Sequence, residues 1–152
     1  MEAEEHQAKV VGKDLPISIK HVIEICNYIR GRSIDDARKE LHKVVKLERA
    51  IPFKIYKDNT GHRKSHMGAG RYPVKASSFI LKMLDSLEAN AQNKGLDINS
   101  LYLTKIIPNK AHEPWHYGRL KRRQARRSHV EIIGEELEKK QEKKKSKEQS
   151  KK

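Results

Sequence analysis

One cysteine stands among 152 residues, so no internal disulfide is possible. A single thiol fits a reducing compartment such as the cytosol. Cys26 shares helical spacing with Ile19, Val22 and Ile23, which reads as a small buried hydrophobe rather than a reactive thiol. Aromatic residues are scarce at 5% and hydrophobic residues reach only 36%, so the core must be small. The length predicts one globular domain. No apolar run approaches the ~18 residues that a membrane span requires. The start, MEAEEHQAKV, is acidic and lacks the apolar stretch of a secretory signal. Acidic residues are also in short supply: 20 face 34 lysines and arginines, a net charge of +14.

That positive charge is clustered. Residues 103–129 hold Lys105, Lys110, Arg119, Lys121, Arg122, Arg123, Arg126 and Arg127 against one acid, Glu113, a local net of +7. Residues 54–75 carry a net of +5 and residues 139–152 a net of +6, which leaves −4 for the rest of the chain. A near-neutral body with three basic segments is the electrostatic footprint of a polyanion binder. Trp115, Tyr117, His112 and His116 lie among the cations of the first segment. Flat rings between cations suit RNA, where bases stack and phosphates pair with arginine. Residues 103–129 therefore read as a basic hairpin meant to be buried in RNA.

Periodicity supplies the framework. Residues 8–12, AKVVG, form a candidate short strand. A helix starts at Ser18, with Ile19, Val22, Ile23, Cys26 and Ile29 on one face, and stops at Gly31. Ser33 with Asp36 resembles a capping box and opens a second helix with Ile34, Ala37, Leu41, Val44 and Val45 inward. Two helices joined by so short a turn are expected to pack as a hairpin. Residues 51–72 begin with a short extended piece and continue as a glycine-containing loop with no period. That loop reads equally as a flexible surface loop or as backbone suited to docking closely on RNA. Pro73 is placed as the first residue of a third helix, whose face carries Ala76, Phe79, Ile80, Met83, Leu84, Leu87 and Ala91. Residues 100–107 and 128–133 alternate as strands with one face packed and one exposed. After Leu137 the chain is almost wholly polar and cannot bury a core of its own.

Residues 112–116 read His-Glu-Pro-Trp-His, a literal match to the H-E-x-x-H zinc motif. That chemistry needs a helix, so that both histidines share one face. Pro114 sits inside the motif, where a helix would lose about 3 kcal/mol or more. His62 and His66 also stand four apart, but in a loop that offers no cysteine. Neither pair is predicted to hold metal, and no other catalytic arrangement is recognisable.

Several motifs in order resemble one family. Ala69-Gly70-Arg71-Tyr72-Pro73-Val74-Lys75-Ala76, Glu88-Ala89-Asn90-Ala91 and Lys94-Gly95-Leu96-Asp97 are similar to large-subunit ribosomal protein L-twenty-two, called L-seventeen in eukaryotes. Ile29-Arg30-Gly31, Ala50-Ile51-Pro52-Phe53 and Ser128-His129-Val130-Glu131 match as well, and the likeness covers about residues 8–137. Gly61-His62-Arg63 looks like the archaeal and eukaryotic branch. The resemblance implies an α+β fold, with three helices on a small three-stranded antiparallel sheet and a long extended β-hairpin. The expected layout is an N-terminal tail at 1–7, a domain at 8–137 with its hairpin at about 100–133, and a lysine-rich tail at 138–152.

The same resemblance implies a structural constituent of the large ribosomal subunit, not an enzyme. It would bind large-subunit rRNA, assist assembly and line the polypeptide exit tunnel with its hairpin. The rRNA-binding residues would be His62, Arg63, Lys64, Arg71, Lys75 and the eight hairpin cations named above. The tunnel-lining tip would be Trp115, His116, Tyr117, Gly118 and Arg119. Here the chain departs from the family: its tip is several residues shorter, and Trp115-His116-Tyr117 replaces an arginine-rich approach. Implied partners are rRNA, neighbouring large-subunit proteins and the nascent polypeptide, with no cofactor, metal, DNA or membrane. The protein would be a monomer within the cytoplasmic ribosome. A free-standing RNA chaperone or RNA-binding regulator would use the same basic segments, and sedimentation with large subunits in high salt separates the two. A zinc hydrolase is the enzyme alternative, which metal analysis addresses.

Overall fold

The computed structural model describes residues 6–64 and 67–136. His66 and the lysine-rich tail at 138–152 lie outside the described residues. Among the described residues the strands and α-helices run in the order β1 (Gln7–Leu15), α1 (Ile19–Ile29), α2 (Ile34–Val45), β2 (Ile51–Pro52), β3 (His62–Arg63), β4 (Gly68–Arg71), α3 (Val74–Asn93), β5 (Leu101–Lys110) and β6 (Ser128–Glu136).

The apolar stripe of α3 becomes the centre of the core. Ile80, Leu84, Leu87 and Ala91 are fully buried, and Ala76 and Met83 nearly so. Pro73 stands one step outside the helix, where its carbonyl accepts the Ser77 N–H at 2.9 Å and its missing N–H costs nothing. Gly95, at φ +72°, turns the chain out after the last turn. One face of α3 lies on β1 and another on α2. Gly12 permits the first contact: a Cβ there would sit 2.9 Å from Met83 Sδ.

The main sheet is antiparallel, in the order β1-β6-β5. β6 alternates buried and half-buried residues along its length, as a strand with one covered face must. Val130 and Ile132 point into the core, with Leu101, Leu103 and Ile106 from β5. β5 bulges between Leu103 and Lys105. β1 extends beyond the expected AKVVG and loses register after Gly12. Asp14 there adopts φ +53°, and its N–H donates to His129 Nδ1 at 3.0 Å.

The first two helices form as the spacing predicts, and Ser33 Oγ accepts the Asp36 N–H at 3.2 Å. They do not pack along each other as a hairpin. Instead α1 lies on β5 and α2 on α3. The turn itself explains the divergence. Gly31 N–H donates to Leu103 O at 2.8 Å and Leu103 N–H to Arg32 O at 2.9 Å, so the turn is pinned to the edge of β5. Tyr28 still reaches across to Glu40, its hydroxyl donating at 2.5 Å. Cys26 is fully buried, and burial pushes its thiol up to about 12. It is the inert hydrophobe that its spacing suggests.

Residues 51–71 hold a second small sheet, in the order β2-β4-β3; β2 lies in the expected extended piece, while β3 and β4 form where the sequence shows a loop without a period. Gly70 is buried inside it, with room for a Cβ limited by Ile51 O at 3.3 Å and Arg63 Cγ at 3.1 Å. This glycine serves the protein's own packing, whereas Gly61 and Gly68 face open space. The piece between β2 and β3 is tied to α1 by Glu24, which is 1% exposed. Its carboxylate accepts the N–H groups of Lys54 at 3.0 Å, Ile55 at 2.8 Å and Tyr56 at 2.7 Å.

Candidate nucleic-acid interface

The hairpin leaves the core abruptly. Ala111 is 7% exposed and Ser128 is fully buried, and no residue between them is buried. The two arms nonetheless remain paired beyond β5 and β6. Ala125 N–H donates to Pro114 O at 2.8 Å and His116 N–H to Arg123 O at 2.9 Å. Trp115 bridges Gln124 across the arms. A tight turn at Gly118–Leu120 closes the end, with Gly118 at φ +63°. Trp115 and His116 therefore lie on the arm, while Tyr117, Gly118 and Arg119 belong to the turn. The His-Glu-Pro-Trp-His segment contains no helix.

The exposed part of the hairpin combines charge with apolar rings. Arg119, Lys121, Arg122, Arg123 and Arg126 are exposed, and Arg127 is half-buried. Tyr117 is 95% and Trp115 60% exposed. Lys110 meets Glu113 at 3.3 Å; no other hairpin cation has a carboxylate partner among the described residues. Lys105 points to solvent from β5. Unpaired like charges on a segment without a core are ready to neutralise phosphates, which the rest of the protein cannot replace.

The remaining predicted cations fall elsewhere. His62, Arg63 and Lys64 line an open hollow of about 850 Å³ together with Lys43 and Arg49, and Glu48 is the acid beside them. Arg63 is held there by its Nε, which donates to Gly70 O at 3.1 Å, and by the Tyr72 ring 5.2 Å away. Lys75 is exposed in the first turn of α3 and joins neither group. Arg71 and Arg126, far apart in sequence, meet in a separate cleft beside Lys20 and His21.

A family model described as ribosomal protein L22p/L17e matches residues 10–135. The chain belongs to that family. It is 43% identical over 141 residues to large ribosomal subunit protein uL22 of Archaeoglobus fulgidus, covering 88% of this chain and 91% of the relative. The protein of the same name from Staphylothermus marinus is 39% identical, with 86% and 90% covered. That of Methanocaldococcus jannaschii is 39% identical, with 87% and 89% covered. As a member of the L22p/L17e family the chain is a ribosomal, non-enzymatic protein of archaeal type.

Sequence reasoning missed Lys43 and Arg49, which line the hollow while paired with Glu40, and Lys20 and His21, which line the cleft. Lys43 and Arg49 flank the end of α2 and read as ordinary helix-end polar residues. Lys20 and His21 sit on the polar side of α1. Arg71 on β4 and Arg126 on the hairpin's return arm give them cationic neighbours.

Proposed function

We propose that this protein is a structural constituent of the large ribosomal subunit that binds rRNA, assists its assembly and lines the polypeptide exit tunnel with its hairpin. The observation that carries the reading is the 112–127 segment: six cations, two exposed aromatic rings and no buried residue. The arms hold each other by backbone pairing, but no buried side chain anchors them to the domain, so an RNA wall is their natural support. Arg119, Lys121, Arg122, Arg123, Arg126 and Arg127 then meet phosphates, with Lys105 and Lys110 nearer the body. His62, Arg63, Lys64, Arg71 and Lys75 supply contacts from the domain. Residues 115–119 face the tunnel, where the partner is the nascent chain. The protein works in the cytoplasm as one copy among neighbouring large-subunit proteins.

The test is a photo-cross-linking phenylalanine analogue at Tyr117 in ribosomes translating a labelled polypeptide. Adducts to the nascent chain are expected. Adducts to rRNA alone would overturn the tunnel assignment while leaving the RNA reading intact, and failure to comigrate with large subunits in high salt would overturn both.

A further inference from the structure

A cleft of about 250 Å³ opens between the start of α1, the segment after β2, β4 and the foot of the hairpin's return arm. Lys20, Arg71 and Arg126 line it with His21 and Tyr56, and Asp58 is its one acid. None of the three cations pairs with a carboxylate among the described residues, Asp58 included. Arg71 is fixed in place: its Nε and Nη2 donate to Thr60 Oγ1 at 3.1 and 2.8 Å, and its guanidinium lies 5.5 Å from the Phe53 ring. Its Nη1 has no partner among the described residues. Lys20 Nζ stands 5.5 Å from the Tyr56 ring centroid. His21 packs edge-on against Phe53 with centroids 5.7 Å apart. Burial, then repulsion from Arg71 and Arg126, lowers its pKa below the ordinary histidine value.

We propose that this cleft binds a single unstacked nucleotide of large-subunit RNA, its phosphate held by Lys20, Arg71 and Arg126 and its base against Tyr56. The volume equals that of roughly eight water molecules, enough for a phosphate with part of a nucleoside and too little for a duplex edge. Three converging cations exceed what one carboxylate side chain of a protein partner needs. A phosphodiester accepts from several donors at once, and a neutral imidazole beside it offers both a donor and an acceptor to a base or ribose. Arg126 belongs to both the cleft and the hairpin, so a strand following the basic arm runs directly into the site. The inference rests on the rRNA reading above.

The experiment uses the full chain with a transcript of the large-subunit rRNA. One variant combines Lys20→Gln with Arg126→Gln, both exposed side chains without a carboxylate partner among the described residues; a control combines Arg119→Gln with Arg122→Gln at the tip. Thermal melts confirm folding, and Lys20→Gln alone is the fallback. Ultraviolet cross-linking and mass spectrometry of the native protein should give nucleotide adducts on Tyr56. The cleft variant should lose those adducts, and its slope of log affinity against log salt should fall by about 0.7 for the phosphate lost. If the tip variant weakens binding while the cleft variant keeps native affinity and slope and Tyr56 gives no adduct, the cleft proposal fails and the rRNA reading stands. If binding is insensitive to salt in every form, the rRNA reading fails and this inference with it. If the cleft variant loses assembly into subunits although Tyr56 never cross-links to RNA, the occupant is an acidic protein segment and the proposal is overturned.

Discussion

Replacing Glu24 by glutamine exchanges one oxygen of a buried carboxylate for an NH₂ group and changes almost nothing in volume. In the native protein both oxygens are occupied: Oε1 by the Ile55 and Tyr56 N–H groups, Oε2 by that of Lys54. Glutamine has one acceptor oxygen, which keeps the two shorter bonds by taking the Oε1 position. Its NH₂ then faces the Lys54 N–H, donor against donor. A bond to a charged acceptor contributes ~1.5–3 kcal/mol, and stranding a buried donor costs ~1–3 kcal/mol. Because Lys54 itself is exposed, its stranded N–H can turn partly to solvent, and a total of about 2 kcal/mol is expected. For a protein of this size each kcal/mol lowers Tm by about 2–4 °C, so a fall of ~4–8 °C is expected. Glu24→Ala abandons all three N–H groups and should cost more. Circular dichroism melts give the total, and amide hydrogen exchange gives its location. Protection should fall at Lys54, Ile55 and Tyr56 first, while the β6 amides keep theirs. A glutamine variant that melts within 1 °C of the native protein with those three amides still protected would refute the reasoning.

Glu40 supplies a pH dependence. Burial alone would raise its pKa, but the Tyr28 hydroxyl, Lys43 and Arg49 outweigh it and lower the value. A depressed carboxylate stabilises the fold above its unfolded pKa of ~4.3, and that contribution disappears as pH falls through the folded value. Glu40→Gln should therefore flatten the loss of Tm in acid; a loss as steep as the native protein's would assign the effect elsewhere. Affinity for rRNA should fall steeply with salt, by about 10³–10⁵-fold between 50 and 200 mM if roughly 6–10 phosphates are neutralised, and a flat response in filter binding would count against phosphate contacts. Removing residues 112–126 and closing Ala111 to Arg127 with Asn-Gly should leave a folded domain that assembles, because no buried side chain is lost. The defect should appear in nascent-chain stalling or sensitivity to tunnel-binding drugs, and an unfolded product would contradict the boundary drawn at Ala111. Purified protein should carry no stoichiometric zinc; metal lost on replacing His112 and His116 together would reverse that expectation.

The legible parts of this fold are those with a repeating pattern. Period 3.6 marks α3 through Ile80, Leu84, Leu87 and Ala91, and period 2 marks β6 through Val130 and Ile132. Both patterns arise because a long element has one buried face. The β2-β4-β3 sheet escapes detection because two of its strands have only two residues, too few for any period. Glu24 escapes because a charged residue on an amphipathic helix looks like surface until a loop brings three N–H groups to it. The hairpin's exposed basic face was visible in its charge, since like charges side by side have no internal explanation. The cleft was not visible, because Lys20 and Arg126 become neighbours only through the paths of β1 and β6.

The order β1-β6-β5 has a consequence for how the molecule comes into being. Its middle strand is the last described element, and one of its partners is the first. During synthesis, β1 must wait through more than a hundred residues before the strand that completes its pairing exists. Helices α1 to α3 can form early from local contacts, but the sheet beneath them closes only at the end. Until then β1 and β5 have no strand between them, and the basic arm is already made. Under the proposed rRNA reading, such a protein would meet its anionic partner and close its sheet at nearly the same moment, so that folding and capture by RNA would compete with aggregation as one kinetic event.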